Sequence, residues 1–421
     1  MPFIFLHTHY QPHIVAGQID VDLTDLAILA AVLAALWSGY ANGFAPLRSG
    51  RGLWTAIVAF LLLIVVSTSW ARAADPTYSL SSNLVSAAKF VEYAFLAPAV
   101  ALALRSRADR RLFFSVFAAW SVVMTVVAVL QFVGAITQFR GRHPLDREPS
   151  YLGEHELASF SGGALALAFA GVLVARNRAL AVVGGIAGGL GLALAAAIDG
   201  IGGMWVAAAV MWGVARGRVP VTLRRTIALV GIAAVVTAAA FTLRGSAISA
   251  FMRFLGVKPS TEQTSGNVQT WSQRVLLGYI GVEIWLHHPI VGVGWQESKR
   301  PHAFRPFLPG ARKHFAAKQP PIAFPSAQHM WGVQNGVLQT LSDVGALGLL
   351  LLAAIVWQAV RLAGRIRGRA PPEQLFDLLA TCGLLIVAFA VFTGTGLLPG
   401  NPSGAQLWLG LGLLVSLTSD G

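Results

Sequence analysis

The sequence predicts an all-α, polytopic helical membrane protein of about eleven spans, with one large extracytoplasmic loop that contains short helices. Three observations carry that expectation. Of 421 residues, 55% are hydrophobic and only 12% charged, and the mean hydropathy is +0.65. A soluble domain carries about 25% charged residues, so this chain cannot cover itself with a charged surface and must have lipid as its main solvent. Apolar runs of span length recur along the whole chain, a helix needing about 20 such residues to cross a bilayer. Arginines collect in every second loop between those runs, which is the positive-inside pattern. A membrane β-barrel would instead show strands of about ten alternating residues, and runs such as Leu347 to Val356 are continuously apolar.

In chain order the apolar segments are Leu23–Ala41, Leu53–Trp70, Leu84–Leu104, Leu112–Gly134, Leu157–Ala175, Leu180–Ile198, Met204–Ala215, Ile227–Leu243, Val337–Val360, Leu375–Phe392 and Ala405–Leu417. The seventh is short and follows Gly200-Ile-Gly-Gly203, so it is re-entrant, tilted, or part of a longer helix. Arg48 and Arg51 follow the first segment, Arg105, Arg107, Arg110 and Arg111 the third, and Arg176 and Arg178 the fifth. Arg216, Arg218, Arg224 and Arg225 follow the seventh, and Arg361, Arg365, Arg367 and Arg369 the ninth. That register places the N-terminus outside and the C-terminus in the cytoplasm.

The outer face then holds Ala71–Leu80, Ala135–Glu156, Asp199–Gly203, Arg244–Trp331 and Leu398–Ser403. The chain reads as one integrated membrane domain: an N-terminal bundle over 1–243, the large loop over 244–331, and C-terminal helices over 332–421. Loops beyond about 15 residues are usually functional or disordered. This one carries a short apolar helix at Ala247–Leu255 and a longer one at Trp271–His287. The longer helix sets Leu277, Ile280, Ile284 and Leu286 near one side in an interfacial pattern, and Pro289 ends it. Residues 296–328 are rich in Pro, Lys and Arg and read as irregular.

The net charge of +13 would suggest nucleic acid in a soluble protein. Here the arginine loops account for much of it topologically, and no nucleic-acid partner is expected. The single Cys382 excludes an internal disulfide and a thiol metal site. Residues Met1 to Val21 are polar and His-bearing without a basic n-region, so no cleavable signal peptide is expected. No internal repeat supports an inverted-repeat transporter plan.

Four groups of residues could carry chemistry. The large loop gathers Lys299, Arg300, Arg305, Arg312, Lys313 and Lys318 with His302 and His314 against Glu297, a bed for an anionic substrate or equally a face attracting lipid headgroups. Arg274 opens the Trp271–His287 helix, and its planar fork suits diphosphate oxygens, although an arginine there also snorkels. Arg140, Arg142 and His143 stand before Glu154, His155 and Glu156 at the entrance to the fifth segment, where acids complement the helix dipole or serve as a base. Asp25, Lys89, Glu92, Asp199 and Asp377 fall within or at the ends of spans, where ionisable groups are functional hypotheses by default. Asp25 and Asp377 suit capping, Lys89 and Glu92 can neutralise each other, and Asp199 at the glycine-rich break can face a site.

One ordered pattern is more specific than any of these. Arg274 precedes a helix ending at His288-Pro289, followed by Ile-Val-Gly292-Val-Gly294, the long loop, Gln334-Asn335-Gly-Val-Leu-Gln339 and Gly345-Ala-Leu-Gly348 running into a span. Over these roughly 80 residues, and in its plan of many spans with one late outer loop, the chain resembles the O-antigen ligase / O-antigen polymerase superfamily. The resemblance implies a GT-C-like fold and an inverting, metal-independent glycosyltransferase without a cofactor. It would move a glycan from a polyprenyl-diphosphate carrier to a glycan or lipid acceptor at the outer face, alongside envelope-glycan assembly proteins. It also implies a diphosphate clamp of arginines: Arg274, with Arg140 or Arg142 and the basic-loop residues Arg300, Arg305, Arg312 and Lys313, with His155 and His288 beside the substrate. Gln334 and Asn335 would position the acceptor, with His329 or Glu156 as base. Two departures stand out: Gln334 replaces the family's His, and Gly200-Ile-Gly202-Gly203 lacks the family's Arg. A transporter or flippase, or an inactive partner in a glycan-assembly complex, is the alternative.

Overall fold

The computed structural model describes residues 2–7, 10–16, 19–139, 141–257, 270–369, 371–396 and 402–420. After a short 3-10 turn, Pro2–Phe5, a hairpin of β1 (His13–Ala16) and β2 (Ile19–Asp22) pairs antiparallel with His13 opposite Asp22. This hairpin is the one departure from the all-α expectation among the described residues. Among the described residues seventeen helices follow: α1 (Leu23–Asn42), α2 (Ala45–Ser49), α3 (Arg51–Ala74), α4 (Leu80–Ala94), α5 (Leu96–Ala103), α6 (Arg107–Phe132), α7 (Glu154–Val174), α8 (Arg178–Ala195), α9 (Ile198–Arg216), α10 (Leu223–Leu243), α11 (Gly245–Phe254), α12 (Thr270–His287), α13 (Pro301–Phe304), α14 (Leu308–Phe315), α15 (Gly336–Arg369), α16 (Pro372–Thr395) and α17 (Pro402–Ser416).

Ten helical stretches among the described residues are long and apolar enough to cross a membrane, α4 and α5 counting as one. The chain is a multi-pass, all-α membrane protein. Pro98 explains the break between α4 and α5, because it cannot donate to the Ala94 carbonyl and its ring crowds that group. The seventh expected segment is a full helix, α9, that starts at Ile198, so the glycine run lies inside its first turns. The eleventh, α17, has 15 residues, short of the about 20 a span needs. It is apolar because it is buried: Trp408, Leu411, Leu414 and Val415 are each under 5% exposed.

The core is built around α7, whose span window is 94% buried. Small residues allow that burial. A side chain at Gly188 of α8 would meet the Ser161 carbonyl and Leu165 amide, one at Gly184 the Ala164 carbonyl, and one at Gly162 would strike Val387 of α16. Without a hydrophobic driving force between helices in lipid, such close approach is what holds them together. Of the charges expected to be costly, Asp25, Lys89 and Asp377 are paired. Asp25 closes a capping box with Asp22 at the start of α1, and Lys89 reaches both, at 3.2 Å and 3.3 Å. Lys89 is therefore neutralised by α1 and not by Glu92. Arg110 meets Asp377 at 3.4 Å at the opposite end of the bundle.

The glycine-rich pattern turns out to be a backbone splice. At Gly345 (φ 68°, ψ −167°) α15 breaks, in a conformation essentially reserved for glycine. The segment 289–294 threads the break. Val293 and Gly294 donate to the Ser342 and Asp343 carbonyls, while Ala346 and Leu347 donate to Pro289 and Ile290. Side chains at Gly292, Gly294 or Gly345 would overlap the backbone of Asp343, Ser67 or Ile290. Asp343, fully buried, then holds the following turn by accepting from the Gln296 and Ser298 amides and from Gln339 Nε2.

The large loop is also more ordered than its composition suggests. Residues 301–323 contain α13, α14 and two 3-10 turns. They cover α12, burying Leu277, Ile280 and Ile284 against Phe304, Ala311 and Phe324. The apolar side of α12 therefore faces protein, and Leu286 is exposed on another side. The irregular reading failed because short helices around prolines leave little periodicity.

Candidate functional site: an arginine cluster at the mouth of an apolar groove

The sequence scatters the residues of this site over 193 positions, from Arg142 to Gln334, and the bundle brings them together. Gly153 (φ 105°) turns the backbone into α7 and sets Glu154 and His155 in its first turn. Asp199 occupies the first turn of α9, where an anion is favoured by the helix dipole, and its Oδ1 accepts from the Gly200 amide at 3.0 Å. Its Oδ2 lies 2.7 Å from His155 Nδ1. Arg274, in the first turn of α12, reaches His155 Nε2 at 2.9 Å through Nη2 and Gln334 Oε1 at 3.1 Å through Nε. A guanidinium has only donors, so His155 Nε2 must accept, and the ring proton sits on Nδ1 and is donated to Asp199. The chain Asp199–His155–Arg274–Gln334 thus fixes one tautomer of the histidine.

Three more arginines surround it. Arg142 and Arg147 both bind Glu154, Arg147 through Nη2 at 2.5 Å. Arg244 follows the C-terminus of α10, where the dipole favours a cation, is 8% exposed and lies over the Trp271 ring at 5.3 Å. Burial, and then the charges of Arg244, Arg142 and Arg274, push Arg147 down to about 8. Burial is also the main force on Arg244, pushed down to about 10 against the pull of Asp199, and it lowers Arg274 and Arg142. A guanidinium keeps its proton in a protein, so this unfavourable energy is relieved by an anion and not by proton loss. Four guanidiniums gather around the carboxylates of Glu154 and Asp199, and the charges of Asp146 and Glu148 also bear on Arg142. Two buried donors, Arg147 Nη1 and Arg244 Nε, have no hydrogen-bond acceptor among the described residues.

A groove of about 800 Å³ opens beside Asp199 and runs along α9, α15, α16 and α17. One wall is the stripe Gly202, Val206, Val210 and Val214. At 1.5 Å per residue that wall is about 18 Å long. Val356, Val360, Leu385, Phe389 and Leu411 line the rest, and Arg367 closes the far end. Between Asp199 and Arg367 the lining is almost wholly apolar.

Of the residues singled out from the sequence, Arg274, Gln334, His155 and Arg142 come together here, with Asp199. Arg140 lies outside the described residues. Glu156 folds its carboxylate back against Gly153 at its own helix end. Asn335 caps α15, its Oδ1 accepting from the Leu338 amide at 2.9 Å. His329 is exposed and stacks on Trp331, and His288 is exposed at the C-terminal end of α12, about 20 Å along the helix from Arg274. Arg305, Arg312 and Lys313 point to solvent. Arg300 turns elsewhere: its Nη2 donates to the Thr77 carbonyl at 2.8 Å, and its Nε lies 3.5 Å from both Asp75 and Glu297. Arg147 and Arg244 were missed. The available signal was their position, because arginines in translocated segments run against the positive-inside bias.

No protein-family model matches this chain, and no curated protein matches it.

Proposed function

We propose that this protein is a membrane glycosyltransferase that moves a glycan from a polyprenyl-diphosphate carrier to a hydroxyl of a glycan or lipid acceptor, at the outer face of a bacterial plasma membrane. The observation that carries this reading is the four-arginine cluster, with two buried donors lacking acceptors, gathered about Asp199 where that residue opens onto a long apolar groove. A lipid diphosphate diester has the matching form: two negative charges on a long apolar tail. The arginines, with their two unmet buried donors, answer the first, and the groove answers the second.

The chemistry follows from the same groups. The acceptor oxygen attacks the anomeric carbon as the bond from that carbon to the diphosphate oxygen breaks. The arginines stabilise the charge that develops on the leaving diphosphate, which preorganised donors do most effectively in a water-poor site. As Arg274 turns toward the diphosphate, it releases His155 Nε2. With Asp199 holding the other ring nitrogen, Nε2 is the basic one and takes the acceptor's proton. In this reading His155 is the base, in place of His329 or Glu156, and Gln334 holds the arginine in place. The absence of a histidine at 334 is then compensated from α7.

The test is deletion of the gene in its host, followed by analysis of surface glycans and lipid-diphosphate intermediates. Loss of a surface polymer with accumulation of lipid-linked oligosaccharide in the outer leaflet supports transfer. Retention of the intermediates in the inner leaflet means that the chain flips them. The apolar lining between Asp199 and Arg367 favours transfer, because it offers a charged headgroup no polar path across.

A further inference from the structure

A second group of ionisable side chains lies apart from the arginine cluster and shares no residue with it. Asp75 caps the C-terminal end of α3, Glu297 lies in the turn that follows the splice into α15, and His302 lies in α13 just beyond it. One donor atom from each of the three lies within 4.8 Å of the others. Asp75 uses Oδ1 to accept from the amide and hydroxyl of Thr77, at 2.8 Å and 2.7 Å, which aims Oδ2 toward Glu297. The Glu297 side chain is 1% exposed, and neither of its oxygens accepts a hydrogen bond; nor does Asp75 Oδ2. Three buried carboxylate oxygens without a donor are costly. The nearest cation, Arg300, lies 3.5 Å from both carboxylates, and its Nε makes no hydrogen bond to either. Its guanidinium is held instead by the Thr77 carbonyl and by the Tyr78 ring at 5.7 Å.

We propose that Asp75, Glu297 and His302 bind a divalent transition-metal cation, of the Zn2+ or Mn2+ class, that ties the 295–302 turn of the large loop to the end of α3. Two carboxylate oxygens and one imidazole nitrogen are a donor set that such ions accept, with water completing the shell. His302 Nδ1 already stands 3.6 Å from Glu297 Oε1. Its side chain is 53% exposed, so it is free to close the remaining distance and leaves the ion a path from solvent. The role is structural, because the turn it would anchor is the one that Asp343 holds from the other side.

The experiment uses the full-length protein in nanodiscs, stripped with a chelator and then given Zn2+ or Mn2+ alone. Metal content after desalting should be one ion per chain, and the thermal midpoint should rise with added ion. His302→Ala changes an exposed side chain and should fold as the parent does. Loss of a direct ligand there should weaken binding by more than the roughly 10- to 100-fold that outer partners cost. Glu297→Gln should abolish both the retained ion and the thermal shift. The proposal is overturned if the parent retains no ion and shows no shift, which leaves a proton shared between Asp75 and Glu297 as the occupant. It is equally overturned if His302→Ala and Glu297→Gln retain the ion as the parent does, which places it elsewhere.

Discussion

Arg274 is the residue on which the proposed site turns, and a graded substitution series reads its contribution. Its Nε and Nη2 are committed to Gln334 and His155, and Nη1 makes no hydrogen bond among the described residues, so the fork is poised to add an anion. Hydrogen bonds involving charged groups contribute about 1.5–3 kcal/mol net. Arg274→Ala removes one such contact and one positive charge from the cluster. At 1.4 kcal/mol per decade, a loss of about 2–3 kcal/mol weakens diphosphate binding roughly 30- to 150-fold. Arg274→Lys keeps the charge but cannot hold two partners in one plane, and about tenfold is expected. The fold should survive both changes, because the packing of α12 rests on Leu277, Ile280 and Ile284. The assay is calorimetric titration of inorganic pyrophosphate into nanodisc-embedded protein at one fixed, low ionic strength, with the thermal midpoint as a check on folding. If folded Arg274→Ala binds pyrophosphate within about threefold of the parent, the cluster is not a diphosphate site and the reasoning fails.

Arg147→Gln should raise the thermal midpoint of the ligand-free protein, since it removes one of four mutually repelling buried guanidiniums while Arg142 still holds Glu154. It should also weaken pyrophosphate binding; a lower midpoint with unchanged binding would make Arg147 purely structural. Val210→Trp fills the groove and should block turnover of a lipid-linked donor while leaving pyrophosphate binding intact, which two parallel assays separate. Gly345→Ala forces a side chain onto the Ile290 carbonyl in a glycine-only conformation and should cost about 3 kcal/mol or more, seen as loss of folded yield. In a Cys382→Ser background, Lys313→Cys should react with a membrane-impermeant maleimide in intact cells and Arg218→Cys only after permeabilisation. The reverse pattern inverts the orientation.

The helices were readable because apolar length and arginine-bearing loops are local signals, so ten of the eleven expected segments reappear as full spans. The eleventh, α17, shows the limit of that signal, because burial in protein and burial in lipid select the same residues. The ordered glycine pattern was visible, but its meaning was not. Gly292 and Gly345 admit backbone about 50 residues away and Gly294 admits that of Ser67 in α3, and no local period encodes which backbone they must admit. Order in 296–328 was hidden for a related reason: its helices are held by the α12 face and have little periodicity of their own.

For the site, the sequence by itself determined which residue types were at hand. Arg142, His155 and Arg274 were picked out because charged groups beside membrane spans are costly and therefore noticeable, and Gln334 because it stands where the family it resembles has a histidine. Only the tertiary structure decided partnership. It separated Arg274 from Arg300, His155 from His329 and His288, and it brought in Arg147 and Arg244. The physical reason is that a guanidinium's role depends on what lies within about 3 Å of its nitrogens, and those neighbours come from helices that meet only when the bundle closes.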